Sequence, residues 1–371
     1  MTVLGTARQV RRRLAWLRRS ISWSALINLV KSGGALALQR ERSGMLPPMV
    51  KIDISPVCAL ACPACLHANP AGRNRPLLDS QSFHVRQRMT CEQFTAIIDE
   101  IHRHTLAVSL YYYGDPLTHP DFSEMVRIAS DAGLSTHAST HLSYRLTDAK
   151  IAAIVESGLT HLSITVDGAT QEIYGVTRVR GRLEWVLENL RRIAQAKQAR
   201  GLAHPAIEVQ YLRHPHHPAD EGERVERLAR SLGAETFSAY DGIYFDVDGD
   251  LYNAVDTDLG ASDPGAPKGI SLIPHCHWPY TGTVIKYDGD VLPCCKWREA
   301  QQYSGGDARA LGNVFQTSLR GIWNGASYRR LRRLMRNPAA AAARGETGSS
   351  FCEGCPKLFA TPARLGEWEA Q

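Results

Sequence analysis

Between Met49 and Tyr240 the chain alternates short apolar segments with amphipathic ones, and this limits the possible folds more than any other feature. Met49–Ser55 reads as a strand, Thr90–His104 as a helix capped by Thr90, and Ala107–Tyr112 as a second strand. The series continues with helix Asp121–Ala132, strand Leu134–Ser139, helix Thr147–Ser157, strand Leu162–Val166 and helix Arg182–Arg200. Strand Ala206–Tyr211, helix Glu221–Leu232 and strand Glu235–Tyr240 complete it. Strands separated by helices call for a parallel sheet with the helices outside. About six such units are fewer than the eight of a closed barrel. The expectation is an α/β chain with a partial (β/α)6, TIM-like barrel. A doubly wound sheet is the alternative.

The pattern divides the chain. Residues 1–45 read as a basic helical extension, 46–240 as the barrel core, 241–275 as an Asp-, Gly- and Pro-rich linker, and 276–371 as a small cysteine-bearing module. In that module the alanine run Ala339–Ala343 either extends the basic helix Tyr328–Arg336 or forms a loop. The net charge of +6 owes much to Arg8, Arg11, Arg12, Arg13, Arg18 and Arg19. An excess so local does not argue for a nucleic-acid partner. Ile21–Leu38 is broken by Asn28, Lys31 and Gly33–Gly34 and is too mixed to span a bilayer. No export signal is read, so a cytoplasmic location is expected. The extension is expected to pack on the outside of the barrel, with contact to a membrane or partner as the other reading.

The nine cysteines are an odd count without an export signal, which favours metal ligation over disulfides. Cys58, Cys62 and Cys65 lie within eight residues, on a loop directly after the first strand. Three thiolates so placed suit an iron–sulfur cluster with one open iron. Structural zinc, with His67 as fourth ligand, is the alternative. Cys276, Cys294, Cys352 and Cys355 form a second set, again suited to zinc or to a cluster, with Cys295 able to replace Cys294. Cys91 stands alone at the start of a helix and reads as structural.

On these motifs the chain resembles the radical S-adenosylmethionine (SAM) superfamily, whose members carry CxxxCxxC after the first barrel strand. The resemblance implies a 4Fe–4S cluster on Cys58, Cys62 and Cys65, whose open iron chelates the amino and carboxylate groups of SAM. One departure is Ala64, where the family usually has an aromatic residue near the adenine. Tyr113-Gly114-Asp115-Pro116 resembles the family turn that binds the methionine amino group. The strand ending in Asp167-Gly168, followed by Tyr174, Arg178, Arg180 and Gly181, also resembles a family segment. By that likeness Thr140 and Thr165 lie near the ribose and Arg178 pairs with the methionine carboxylate. The bland readings are a turn cap for Asp167 and a surface position for Arg178.

The tail resembles the SPASM module: Cys276, twelve residues, Gly289, four residues, Cys294, then Leu311-Gly312-Asn313-Val314 and Ile322-Trp323. With no cysteine after Cys355, it is closest to the truncated Twitch form seen in an aminocyclitol dehydrogenase. That implies one auxiliary 4Fe–4S cluster on Cys276, Cys294, Cys352 and Cys355. The implied activity is formation of a 5′-deoxyadenosyl radical and hydrogen abstraction from a small-molecule substrate. Oxidation of a carbinol, with the auxiliary cluster as electron acceptor, is the expected outcome. A radical epimerase using Cys295 as hydrogen donor, a peptide maturase and a non-catalytic zinc protein are the alternatives. No separate leader-binding domain is read. The reductant would be a flavodoxin or ferredoxin. His141, Tyr211, His214 and His216 are candidates for a hydroxyl-rich pocket, or else are solvated.

Overall fold

The computed structural model describes residues 22–62, 87–241, 243–245, 251–253, 276–294, 310–346 and 351. Helix α1 (Trp23–Ala37) precedes strand β1 (Met49–Ile52). Then come α2 (Cys91–Ile101), β2 (Ala107–Ser109), a 3-10 turn (Pro116–Thr118), α3 (Phe122–Asp131) and β3 (Ser135–Thr140). These are followed by α4 (Asp148–Glu156), β4 (His161–Thr165), α5 (Gln171–Thr177), α6 (Leu183–Ala199), β5 (Ala206–Arg213), α7 (Glu221–Ser231) and β6 (Thr236–Asp241). β1 to β6 pair in parallel and in chain order, which is the expected six-stranded barrel wall.

Local chemistry sets these elements. Thr90 and Gln93 form a reciprocal capping box at the start of α2. Phe94, Ile97, Ile98 and Ile101 then fall on one buried face. Cys91 is the first residue of α2, and burial pushes its thiol pKa up, consistent with a structural role. Val50, Ile52, Val108, Leu110, Ala138, Leu162, Ile164, Ile207 and Val209 are all buried in one continuous apolar core with the helices.

The alternate strand positions carry the opposite chemistry. Ser109, His137, His161, Ser163 and Glu208 are buried but polar. They form a hydrogen-bonded row across the inner face, so the barrel interior is polar where the outside is apolar.

Two features add to the sequence expectation. First, a strand of the C-terminal module joins the barrel sheet. This strand, β9 (Gly282–Ile285), follows the short helix α8 (Trp278–Thr281) and pairs in parallel with β1, Met49 against Gly282 through Ile52 against Ile285. β10 (Val291–Leu292) then pairs antiparallel with β9, giving an eight-stranded sheet. The open edge of β1 is thereby covered. Second, the linker contains a hairpin, β7 (Ile243–Phe245) with β8 (Leu251–Asn253). Apart from Asp241, which ends β6, the rest of 241–275 lies outside the described residues.

The tail continues with α9 (Leu319–Trp323), α10 (Ala326–Arg336) and α11 (Pro338–Ala343). The alanine run is thus a short helix of its own, after a break at Asn337. Buried Arg332 on α10 donates to the carbonyls of Pro279, Glu41 and Trp323 at 2.8, 2.9 and 2.9 Å. One guanidinium therefore ties the tail to α8 and to the segment before β1.

Candidate radical SAM site

The cysteine loop leaves β1 and is held down by the turn after β2. Asp115 N–H donates to the Val57 carbonyl at 2.9 Å, and Thr118 Oγ1 bonds Ser55 Oγ at 2.8 Å. Gly114 makes this approach possible, since a Cβ there would sit 1.9 Å from the Ser55 carbonyl oxygen. From the other side, Ala61 N–H donates to the Val179 carbonyl at 3.0 Å. Cys58 and Cys62 stand half-buried on this loop, and no disulfide joins the described cysteines. Cys65 lies outside the described residues.

Asp115 is buried and heavily used. Its Oδ1 accepts from Leu117 N–H at 3.0 Å. Its Oδ2 accepts from Thr140 Oγ1 at 2.7 Å and from His141 N–H at 2.9 Å. A carboxylate offers about four lone-pair sites, so little capacity is left for a substrate ammonium. Asp115 therefore acts first as a tie between the ends of β2 and β3, in contrast to a purely ligand-facing role. Tyr113 and Pro116 flank it and are buried.

The second cluster of predicted residues also comes together. Arg178 Nε donates to Asp167 Oδ2 at 2.6 Å, and Nη1 lies 4.0 Å from Cys62 Sγ. Asp167 is fully buried, and its Oδ1 accepts from Leu212 N–H at 2.9 Å. Burial works against the Arg178 charge, but Asp167 and Cys62 outweigh it and hold the group protonated. Arg178 is thus no loose surface residue. Its position follows from α5, a helix that the sequence reading missed because it is a single short element in a Gly- and Arg-rich stretch. Thr165 closes β4 on the same face as His161 and Ser163.

Three further residues line the same place. His141, Tyr144 and Tyr174 are around Asp115, Cys58 and Cys62: His141 Nε2 lies 3.4 Å from Asp115 Oδ2, the Tyr144 hydroxyl also meets Asp115, and the buried Tyr174 hydroxyl has no hydrogen-bond partner. Burial raises both tyrosine pKa values and lowers that of His141, so all three stay neutral. Neutral polar groups beside two thiolate candidates suit a polar, zwitterionic ligand such as SAM. Tyr144 carried no motif and was missed. His214 Nε2 approaches Asp167 Oδ2 at 4.0 Å, and burial drives its pKa down to about 4. Tyr211 bonds His217 Nδ1 at 2.6 Å, and His216 stacks beside His214.

In the C-terminal module Cys276 is half-buried ahead of α8 and Cys294 is buried directly after β10. Gly289 makes the β9–β10 turn with φ of +88°, which explains the glycine five residues before Cys294. Asn313 Nδ2 closes that turn on the Asp288 carbonyl at 2.9 Å. Cys295, Cys352 and Cys355 lie outside the described residues. Among the described residues alone, no group of three metal-ligating side chains assembles.

Comparison with known proteins gives the class. Residues 52–207 match the radical SAM superfamily and residues 276–356 match the SPASM iron–sulfur cluster-binding domain. The chain belongs to the radical SAM superfamily and carries a C-terminal SPASM domain. These domains imply a 4Fe–4S cluster, an auxiliary cluster and SAM.

Two kinds of relative stand out. The chain is 29% identical to the PqqA peptide cyclase of Ruegeria pomeroyi over 191 residues, 51% of this chain and 45% of that protein. The match therefore spans under half of that cyclase. It is 24% identical to the mycofactocin maturase MftC of Mycolicibacterium smegmatis over 342 residues, 86% of this chain and 80% of that protein. In fold it is similar to the crystal structure of Streptococcus suis SuiB, with a TM-score of 0.59 at 14% identity, covering 83% of this chain and 72% of that one. Among the described residues no helix is long and apolar enough to cross a membrane.

Proposed function

We propose that this radical SAM enzyme is a peptide maturase, modifying a side chain or the backbone of a small peptide. The observation that carries this is the match to a mycofactocin maturase over 86% of the chain, through both domains. The partial match to a PqqA peptide cyclase points the same way. This replaces carbinol oxidation, which the cysteine count of the tail alone had favoured.

The residues present fit the cofactors. Cys58, Cys62 and Cys65 would hold the first cluster, and Cys276, Cys294, Cys352 and Cys355 the second, with a flavodoxin or ferredoxin as reductant. When bound, the first cluster and SAM supply a 5′-deoxyadenosyl radical. Tyr144, Tyr174 and His141 would orient the methionine moiety, with the Tyr113–Pro116 turn beneath its ammonium. Arg178, braced by Asp167, would face its carboxylate.

The peptide group to be attacked would enter the polar interior. There Ser163 Oγ donates to Glu208 Oε2 at 2.8 Å and bonds His137 Nε2 at 3.0 Å, while His161 Nε2 lies 3.3 Å from Glu208 Oε2. Such a row can position a polar side chain and accept a proton lost on oxidation.

The test is anaerobic reconstitution with dithionite and SAM, followed by incubation with a panel of synthetic peptides and, separately, sugars and aminocyclitols. Peptide mass change alongside 5′-deoxyadenosine is expected. Change confined to the carbinols would restore the dehydrogenase reading. Iron-free, zinc-loaded protein would end the enzyme reading altogether.

A further inference from the structure

We propose that helix α1 docks the enzyme on an anionic lipid surface. The helix is built with its faces reversed. Its small and polar residues Ala25, Asn28, Ser32 and Ala35 are the ones packed against the protein. Asn28 Nδ2 donates to the carbonyls of Leu46 at 2.7 Å and His104 at 2.8 Å, and its Oδ1 accepts from Met45 N–H at 2.7 Å. Ser22 Oγ donates to the Arg103 carbonyl at 3.0 Å. These bonds fix the rotation of the helix, and with it the face that looks outward.

That outward face is apolar. Trp23 is 80% exposed, Ile27 51%, Val30 67% and Leu38 62%, with Leu26 and Leu29 beside them. Six of the eleven exposed large hydrophobic residues among the described ones lie in this single helix and its cap. Spacings of three and four residues put Trp23, Leu26, Ile27 and Val30 on one stripe, opposite the buried side. A contiguous stripe of this kind marks an interaction surface, where scattered exposed residues would not.

The charge says what covers it. Residues 1–40 hold Arg8, Arg11, Arg12, Arg13, Arg18, Arg19, Lys31 and Arg40 and no acidic residue. Their charge exceeds the +6 of the entire chain, so the remainder is slightly acidic. A nucleic acid would satisfy the arginines but leave Ile27, Val30 and Leu38 in water. A second copy would cover the apolar stripe but bring two arginine segments together. The interface of an anionic bilayer accommodates both: apolar side chains enter the acyl boundary, Trp23 sits at headgroup level, and cations meet phosphates. The anchoring carbonyls of Leu46 and His104 precede β1 and β2, so the helix sits toward the N-terminal ends of those strands. The cysteine loop and the Gly114 turn lie beyond the C-terminal ends and stay clear.

The experiment floats the full-length, anaerobically purified chain with vesicles of equal parts phosphatidylethanolamine and phosphatidylglycerol, or of phosphatidylcholine alone. Binding to the anionic vesicles is expected, with little to phosphatidylcholine. The double variant Ile27→Asp/Val30→Asp, at exposed positions that leave the fold intact, should lose on the order of tenfold in partition. Arg11→Gln/Arg12→Gln/Arg13→Gln should lose a similar factor and flatten the salt dependence. Equal partition onto both vesicle types, or undiminished binding of the aspartate variant, would overturn the proposal. So would a dimer in light scattering that the aspartates dissociate while the wild-type chain stays off the vesicles.

Discussion

Arg178 points one edge of its guanidinium at Asp167, 2.6 Å away. Its other edge reaches toward Cys62. The pair joins α5 to the cysteine loop, and the Ala61–Val179 hydrogen bond runs alongside it. A buried carboxylate thus fixes a cation beside a proposed cluster ligand, at the place where a ligand carboxylate would need one.

Two substitutions of Arg178 should therefore do different things. Arg178→Ala leaves Asp167 buried without its counter-charge, which costs about 3–5 kcal/mol. Arg178→Lys keeps the charge but not the fork. It should raise the KM for SAM about tenfold or more in a 5′-deoxyadenosine assay, with iron content unchanged. An unchanged KM would detach Arg178 from SAM and leave it a structural brace.

Gly114→Ala tests the clamp on the cysteine loop. A Cβ at 1.9 Å from the Ser55 carbonyl cannot be tolerated without moving the backbone on which Cys58 sits. Overpacking of this kind costs about 1–3 kcal/mol. The expected result is a lower melting temperature and loss of visible absorption from the first cluster, read against a Cys58→Ala control. Full iron content in Gly114→Ala would contradict it.

Much of this was legible in advance, for physical reasons. Apolar alternation against helical spacing fixes the six β/α units, and the CxxxCxxC loop follows from where the first strand ends. Two things were hidden. The pairing of β9 with β1 joins residues more than two hundred positions apart, and nothing local in Gly282–Ile285 announces it. The polar interior was hidden because Ser109, His137, His161 and Ser163 look in sequence like solvent-facing positions of half-exposed strands. In a barrel, that second face turns inward.

His214 gives a pH signature. Burial lowers its pKa to about 4, against roughly 6.5 for the unfolded chain. The folded state therefore binds fewer protons, and the stability this contributes is present above about pH 6.5 and is lost as pH falls toward 4. Between pH 7.5 and 5.5 the wild type should lose on the order of 1 kcal/mol more than His214→Gln in urea unfolding. Parallel losses in the two proteins would show that His214 is not the group responsible.

The polar row in the barrel predicts uncoupling. Glu208 accepts from Ser163 and approaches His161, so Glu208→Gln keeps the shape and removes the charge. Cleavage of SAM should continue, while peptide modification falls about a hundredfold, the scale of losing a positioned acid–base group. Equal loss of both activities would place Glu208 in the fold instead of the substrate site.

The auxiliary cluster separates two roles for the last cysteines. Cys294 is buried after β10, held there by the Gly289 turn and by Asn313. If Cys294 and not Cys295 is the ligand, Cys294→Ala should remove about four irons, the content of one 4Fe–4S cluster. Cys295→Ala should keep them. Cys352→Ala should match Cys294→Ala. In both iron-depleted variants uncoupled SAM cleavage should survive, because a cluster with four protein thiolates offers no open iron to SAM. Product formation should stop if the peptide reaction is oxidative, since the acceptor for the substrate electron is gone. A variant that loses four irons yet still forms product would show that the reaction is redox-neutral, and the auxiliary cluster would then be structural.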